Sequence, residues 1–292
     1  AGTSNFSNLG TLIHNAAGAH SLAVTNFSNQ GLVQVDAGTL SIGGSGTDSG
    51  AYTVASSAAL RFSSGTRTLD VNSTVSGLGG LGVSGATVTV NGSAPLLNTG
   101  SALTASSGSL TLNTLASGTL APIQVSGGVL TINPLLDLTL TQPVSISAGA
   151  LRLNNTGKSA SIPELTLSGG EFGGTGNATI TGAFNVTGGN PFTNPILSGT
   201  GTLTTQGTST VNFSTTSGLL GLTGGKTWVN QGSLTIGGDD ALYFGYTSGG
   251  TNTLVNDIGA TLAVSSTNAT PVETYAGTSN FSNLGTLIHN AA

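Results

Sequence analysis

The chain has 292 residues, of which only 5% are charged, against about a quarter in an ordinary globular protein. Five basic and ten acidic residues leave a formal charge of −5, too thin a scatter for a basic stripe, so nucleic acid is not an expected partner. The absence of cysteine excludes a disulfide framework and any thiolate-ligated metal.

Hydrophobic residues make up 37% of the chain and mean hydropathy is positive, which argues against disorder. Ser, Thr, Asn and 47 glycines occupy the polar positions, while Glu, Lys, Gln and Met are rare and Thr, Val, Ile and Leu abound. That balance disfavours helix and favours strand, so the expected class is all-β. No apolar run approaches 18 residues, and no membrane insertion by this segment is expected. The chain opens at Ala1 and lacks Met, so the natural start and any export signal are expected to lie outside it.

Taken in order, the first stretch is Ala1 to Ala17, AGTSNFSNLGTLIHNAA, and the same seventeen letters return at Ala276 to Ala292. A tandem repeat with a period of 275 residues (276 − 1) follows. Residues 1–275 are then one unit, residues 276–292 open the next, and Thr270 to Tyr275 form the seam. The two copies are expected to share one conformation. Inside the first copy lies Phe6-Ser7-Asn8-Leu9-Gly10, repeated as Phe27-Ser28-Asn29-Gln30-Gly31 and as Trp228-Val229-Asn230-Gln231-Gly232. A looser version, Leu254-Val255-Asn256-Asp257-Ile258-Gly259, carries one extra residue. Alternating apolar residues after each corner mark strands with one buried face.

A second phrase, Leu-x-apolar, runs through the middle: Leu40/Ile42, Leu60/Phe62, Leu110/Leu112, Leu130/Ile132 and Leu151/Leu153. Later copies are Leu165/Leu167, Val211/Phe213 and Leu234/Ile236. A period near 20 residues with Gly and Asn corners predicts a parallel β-helix, a β-solenoid with rungs of about 20–27 residues and two or three short strands per rung. At about 4.8 Å per rung, one unit makes about 13 rungs and a rod about 60 Å long. Stacked Asn corners predict a side-chain ladder. A β-sandwich array needs repeats of about 100 residues, and propeller blades need about 40 with strong aromatic signatures. The runs Gly169 to Gly176 and Pro191 to Pro195 read as loops that interrupt the coil.

The corner followed by Gly-Thr-Leu-Ser-Ile-Gly-Gly (Gly38 to Gly44), echoed at Gly232 to Gly238, resembles the β-helical passengers of large bacterial surface proteins. These are the filamentous-haemagglutinin-like, two-partner-secreted and autotransporter adhesins. The resemblance implies a right-handed helix, export to the bacterial cell surface, and service as a stalk, matrix fibre or adhesin. Implied partners are adjacent repeats of the same chain, other copies of it, and glycans or cell surfaces.

Candidate sites weigh lightly against that structural reading. Gly43 to Gly50 follows the opening of a calcium nonapeptide repeat, but it lacks both the apolar residue after Asp48 and a tandem copy, so a Gly-rich corner accounts for it better. Asp239-Asp240 is the one adjacent acid pair and reads as a solvated turn, not as half of a carbohydrate-cleaving pair. His14, His20 and His289 lack neighbouring ligands in sequence. No serine-hydrolase elbow occurs. The expectation is therefore no catalytic, metal or cofactor-binding residue, and no enzyme. Ten Asn-x-Ser/Thr sequons (Asn5, Asn26, Asn72, Asn91, Asn154, Asn177, Asn185, Asn212, Asn268 and Asn280) offer glycosylation sites. Their number is close to what the Ser/Thr content alone produces. Trp228, Tyr243, Phe244 and Tyr246 are the candidates for an exposed adhesive face.

Overall fold

The computed structural model describes residues 2–92, 101–113, 122–134, 136–154, 157–188, 194–214 and 217–290. They contain strands and turns and no helix. Two compact units divide the chain, Ala1–Gln142 and Pro143–Ala292, and each is a parallel β-solenoid.

In the first unit a turn is three short strands. Asn5–Asn8, Thr11–His14 and Ala19–Leu22 make the first turn; Asn26–Asn29, Leu32–Val35 and Thr39–Ile42 make the second. Each strand pairs in parallel with its counterpart one turn on, as Asn5↔Asn26, Thr11↔Leu32 and Ala19↔Thr39. Further along, two of the three strands fuse. Gly80–Val90 pairs with Ala59–Phe62 through its first part and with Thr66–Leu69 through its last. Leu103–Leu112 and Ile123–Ile132 continue the fused strand, with register shifts beside Val83 and Ser84 marking the former corner.

The second unit begins with a strand of the same long kind, Val144–Leu153, which divides into partners Leu165–Leu167 and Glu171–Gly173. From there three columns of parallel strands run to Val272–Thr274, Thr278–Asn283 and Thr286–His289. The expected rung length holds for most turns: side-chain bonds between stacked positions span 20 to 22 residues in the first unit and up to 27 in the second. It is exceeded at both limits, by Ser159 opposite Asn177 (177 − 159 = 18) and Leu242 opposite Val272 (272 − 242 = 30), because corner loops absorb the difference. Gly169 to Gly176 is no interruption. Its centre, Glu171–Gly173, is a strand within the coil. Of the Pro191–Pro195 run, only Asn194 and Pro195 lie within the described residues.

Alternation puts the Leu-x-apolar pairs inside. Leu40, Leu60, Leu81, Leu103 and Ile123 form one column and Ile42, Phe62, Val83, Ala105 and Val125 the next, all of them buried. Each aliphatic side chain taken out of water in this way stabilises the fold by about 2 kcal/mol. Phe213 departs from the pattern: its strand, Thr208–Val211, ends before it. The corner glycines follow from the same stacking. A Cβ on Gly31 would sit 2.0 Å from the carbonyl oxygen of Gly10, and one on Gly50 would sit 2.2 Å from that of Gly31. Only glycine lets consecutive corners approach so closely.

The expected asparagine ladder is present. Asn8 Nδ2 donates to Asn29 Oδ1 at 2.7 Å and to Leu32 O at 2.9 Å. In the second unit Asn230 Nδ2 donates to Asn256 Oδ1, and Asn256 Nδ2 to Asn283 Oδ1. A further ladder that the corner motif does not announce joins Asn113 to Asn91 and Asn133 to Asn113, both at 2.7 Å. A buried amide left unpaired costs about 1–3 kcal/mol; stacked on its own kind it is satisfied.

One turn beyond Asn29 the column changes chemistry. Asp48 is fully buried and accepts from the Asn29 backbone N–H (2.7 Å), the Tyr52 hydroxyl (2.8 Å) and Arg67 Nη1 (2.8 Å). Arg67, 1% exposed, also donates to Gly44 O and Phe27 O, and its guanidinium lies against the rings of Phe27 and Phe62. Above Asp48 the column turns apolar, with Leu69 opposite it and Val90 next. Breaking a buried ion pair from one side leaves an uncompensated charge. Arg67→Met should therefore destabilise the chain by about 3–5 kcal/mol, read as the denaturant midpoint. Asp48→Asn combined with Arg67→Met, which replaces the charge by a ladder amide, should recover much of that loss. Equal destabilisation in the single and double variants would contradict the account.

Candidate functional site

The residues singled out in the sequence fall into different surroundings. The calcium-like run is glycine corners at Gly44 and Gly50 with a short strand, Gly46–Asp48, between them. Both carboxylate oxygens of Asp48 are taken by Arg67, Tyr52 and Asn29, which gives Asp48 a packing role in place of a cation-binding one. Asp239 occupies a turn, as expected, but Asp240 is not solvated. It is buried, with Oδ2 accepting from Phe213 N at 2.7 Å and Oδ1 from Gly218 N at 3.1 Å. Burial raises its pKa, and the two backbone donors oppose that rise. Its carboxylate pins the chain of the preceding turn.

His14 and His20 come together, ring centroids 5.2 Å apart and edge to face. No group of three or more His, Asp or Glu able to hold a metal occurs among the described residues. The ten sequon asparagines all lie exposed or half-buried.

Within strands the aromatic side chains separate by parity, and Tyr246 and Tyr275 lie outside the strands. Trp228 and Phe244 point inward and are buried, which corrects their expected place on an exposed face. Trp228 packs edge to face on Phe184 at 5.6 Å, and its indole N–H donates to Thr205 Oγ1 at 3.1 Å. Tyr243 and Tyr246 do face outward, and Tyr275 joins them. Ring centroids are 6.4 Å apart between Tyr243 and Tyr246, and 5.6 Å between Tyr246 and Tyr275. Tyr275 belongs to the seam, and no motif in the sequence marks it.

Polar groups surround these rings. Asn194 Nδ2 donates to the Tyr246 hydroxyl at 3.0 Å. The ring of Tyr246 lies over Gly221, where a Cβ would meet it at 3.0 Å. A cavity of about 310 Å³ beside it is lined by Gly149, Gly170, Asn194, Ile196 and Tyr246. A hydrogen bond to Glu273 raises the pKa of Tyr243. On an adjoining column Arg152 clasps Glu171 with two bonds, at 3.2 and 3.0 Å, and Ser198 Oγ adds a third at 2.6 Å. Burial pushes the Glu171 pKa up, but the bonds from Arg152 and Ser198 outweigh it and hold it low.

The second location of interest is the pair of duplicated rungs. The first copy forms strands Asn5–Asn8 and Thr11–His14; the second forms Thr278–Asn283 and Thr286–His289. At a shift of 275 the last four residues of Thr278–Asn283 coincide with Asn5–Asn8, and the following strand coincides end for end. The first copy bonds forward, to Asn26–Asn29 and Leu32–Val35. The second bonds backward, to Thr251–Asn256 and Thr261–Val264. Each copy uses the edge that the other leaves open.

Lys226 is a buried cation that no sequence motif announced. It is 2% exposed, Nζ donates to Gly201 O at 3.0 Å, and burial lowers its pKa from 10.5 to about 8, partly offset by Glu171. The unfolded chain therefore binds more protons than the folded one between about pH 8 and 10.5, so this group adds stability as pH rises through that window. Thermal unfolding should show a melting temperature that climbs from pH 8 towards pH 10, with the slope abolished in Lys226→Met. A wild-type slope that survives the substitution would mean the lysine is not the source.

No protein-family model, no curated protein and no solved structure matches the chain.

Proposed function

We propose that the chain is a structural repeat of an extracellular bacterial fibre or giant adhesin. Its units are right-handed β-helices of the filamentous-haemagglutinin-like or autotransporter kind, stacked coaxially into a stalk at the cell surface. The observation that carries the reading is the duplicated rung: one sequence forms the same strands at residues 5–14 and 280–289 and bonds in opposite directions. Joined in tandem, a single such rung bonds on both edges, so the coil passes from one unit to the next without a cap. The near-absence of charge supports this, since like charges stacked at about 4.8 Å repel. No catalytic role is proposed. Asp48 and Asp240, the acids nearest to candidate motifs, have their oxygens engaged by packing partners.

A second reading, adhesion to a neutral glycan, is favoured by one observation, the outward cluster of Tyr243, Tyr246 and Tyr275 beside the Asn194 cavity. Aromatic rings with an amide and carboxylates at their rim suit sugar faces and hydroxyls.

A chain carrying two units in tandem should appear in electron micrographs as a rod longer by about 60 Å than the single unit. Two beads on a flexible joint would sink the fibre reading. For the second reading, Tyr246→Ala and Tyr275→Ala should each weaken binding on a panel of neutral oligosaccharides by about tenfold. A wild-type chain that binds none of the panel removes it.

A further inference from the structure

The outer face of the first unit carries a cavity of about 570 Å³ that neither reading above uses. It lies over one column of parallel strands, Thr39–Ile42, Ala59–Phe62, Gly80–Val90, Leu103–Leu112 and Ile123–Ile132. We propose that this groove binds an acidic oligosaccharide, laid along the column with a carboxylate on Arg61.

The groove follows from which residues take the outward positions. Leu60, Phe62, Leu81 and Val83 are buried inside the coil, so Ala59, Arg61, Gly80 and Gly82 face out. Pairing sets Gly80 on Ala59 and Gly82 on Arg61. One turn therefore presents two glycines on the outer face, and no side chain stands on the sheet there. Thr104, which pairs with Gly82 from the following turn, fills one of the two places: a Cβ on Gly82 would sit 2.0 Å from its hydroxyl oxygen. The other place has no such occupant, and Gly80 lines the cavity. A Cβ built on Gly80 would meet Ala102 O at 3.4 Å, Ala59 Cβ at 3.5 Å and Ser101 Cβ at 3.6 Å, all ordinary contacts. One wall is tied across the gap. Ser101 Oγ donates to Ser56 O at 3.0 Å, a bond between corners two turns apart.

The lining states the ligand's chemistry. Arg61 is exposed and has no hydrogen-bond or ion-pair partner among the described residues, whereas Arg67 and Arg152 are each held by a carboxylate. Residues 1–142 contain no lysine and no arginine besides Arg61 and the buried Arg67. No acidic residue lines the groove among the described residues. A guanidinium with free donors takes a carboxylate in two parallel bonds. Thr39, Ser57, Ser101, Thr104 and Gln124 surround it with hydroxyl and amide groups, which suit the hydroxyls of a sugar chain. From the turn of Thr39 to that of Gln124 the groove crosses four strand spacings, about 19 Å, so it accepts a chain of rings in place of one. An acidic peptide fits less well. The strands beneath are paired on both edges, which leaves no backbone edge to extend. The large apolar residues in the lining, Leu60 and Leu81, point inward and offer no pocket for peptide side chains. The tyrosine cluster, by contrast, belongs to the second unit and selects for neutral sugar faces.

Calorimetric titration of the full chain with short galacturonate, glucuronate and mannuronate oligosaccharides, each beside its methyl ester, tests the assignment. At least one acid form should bind, its methyl ester about tenfold more weakly, and binding should weaken as salt rises. Arg61→Gln should weaken the acid form about tenfold and leave the ester unchanged. Gly80→Leu, at a position whose φ is not positive, should fill the groove and abolish binding with an unchanged melting temperature. Arg61→Gln removes no packing, so it decides the matter if Gly80→Leu fails to fold. Tyr246→Ala should leave acid binding intact, which separates this site from the neutral-glycan reading. The proposal is overturned by a wild-type chain that binds no acid form, by equal binding of acid and ester, or by oligoglutamate binding as tightly as the best sugar. Acid binding that survives Arg61→Gln, or that is lost in Tyr246→Ala, overturns it as well.

Discussion

Everything in this molecule depends on one constraint, that each strand finds its backbone partner one turn away in parallel register. Equivalent positions of successive turns then lie about 4.8 Å apart, so a side chain meets above and below it whatever occupies the same place in the repeat. Aliphatic residues satisfy that rule by stacking, as Leu40, Leu60, Leu81, Leu103 and Ile123 do. Amides satisfy it because they donate and accept at once, as in the Asn230–Asn256–Asn283 series. Charged groups fail it, because a column of one sign repels itself. The 5% charged content is what the geometry permits.

The exceptions show how a buried charge is accommodated in such a coil. Asp48 sits where an amide column gives way to Leu69 and Val90, with Arg67 filling the break and sealing it against Phe27 and Phe62. Asp240 faces two backbone N–H groups of a neighbouring loop. Lys226 meets a carbonyl and has Glu171 as its compensating charge. In each case the buried charge is met by fixed hydrogen-bond partners of a neighbouring turn.

Much of the fold was legible because the repeat period and the strand parity can be counted. The Asn8, Asn29 and Asn230 corners announce the ladders, and the Leu-x-apolar phrase announces the inner columns. Parity also held more than the corner motif alone conveyed. Gly46-Thr47-Asp48-Ser49-Gly50 is a further copy of the corner with Asp in the Asn place, a reading that spacing from Asn29 supports and the glycine run obscured. Trp228 shares its inward parity with Lys226 and Asn230, so an exposed Trp228 conflicted with its own strand. The fusion of two strands in Gly80–Val90 was not legible, because a straightened corner keeps the same residue types as a bent one. The meeting of Tyr275 with Tyr246 was equally hidden, since it depends on loop lengths across a turn.

Direction is the remaining consequence of the stacking rule. Parallel register makes the two edges of every rung different, and the asparagine columns state the difference chemically, with donors running forward from Asn8 and backward from Asn26. An edge turned against a copy of itself would reverse the strands and lose the parallel register in which like residues stack. Opposite edges preserve both register and polarity. A coil built in this way therefore extends in one sense only. The duplicated segment fits that sense: its NFSN strand already stacks in parallel register on a second NFSN one turn on. At that point in the repeat, the face a rung presents and the face it accepts are made of the same residues.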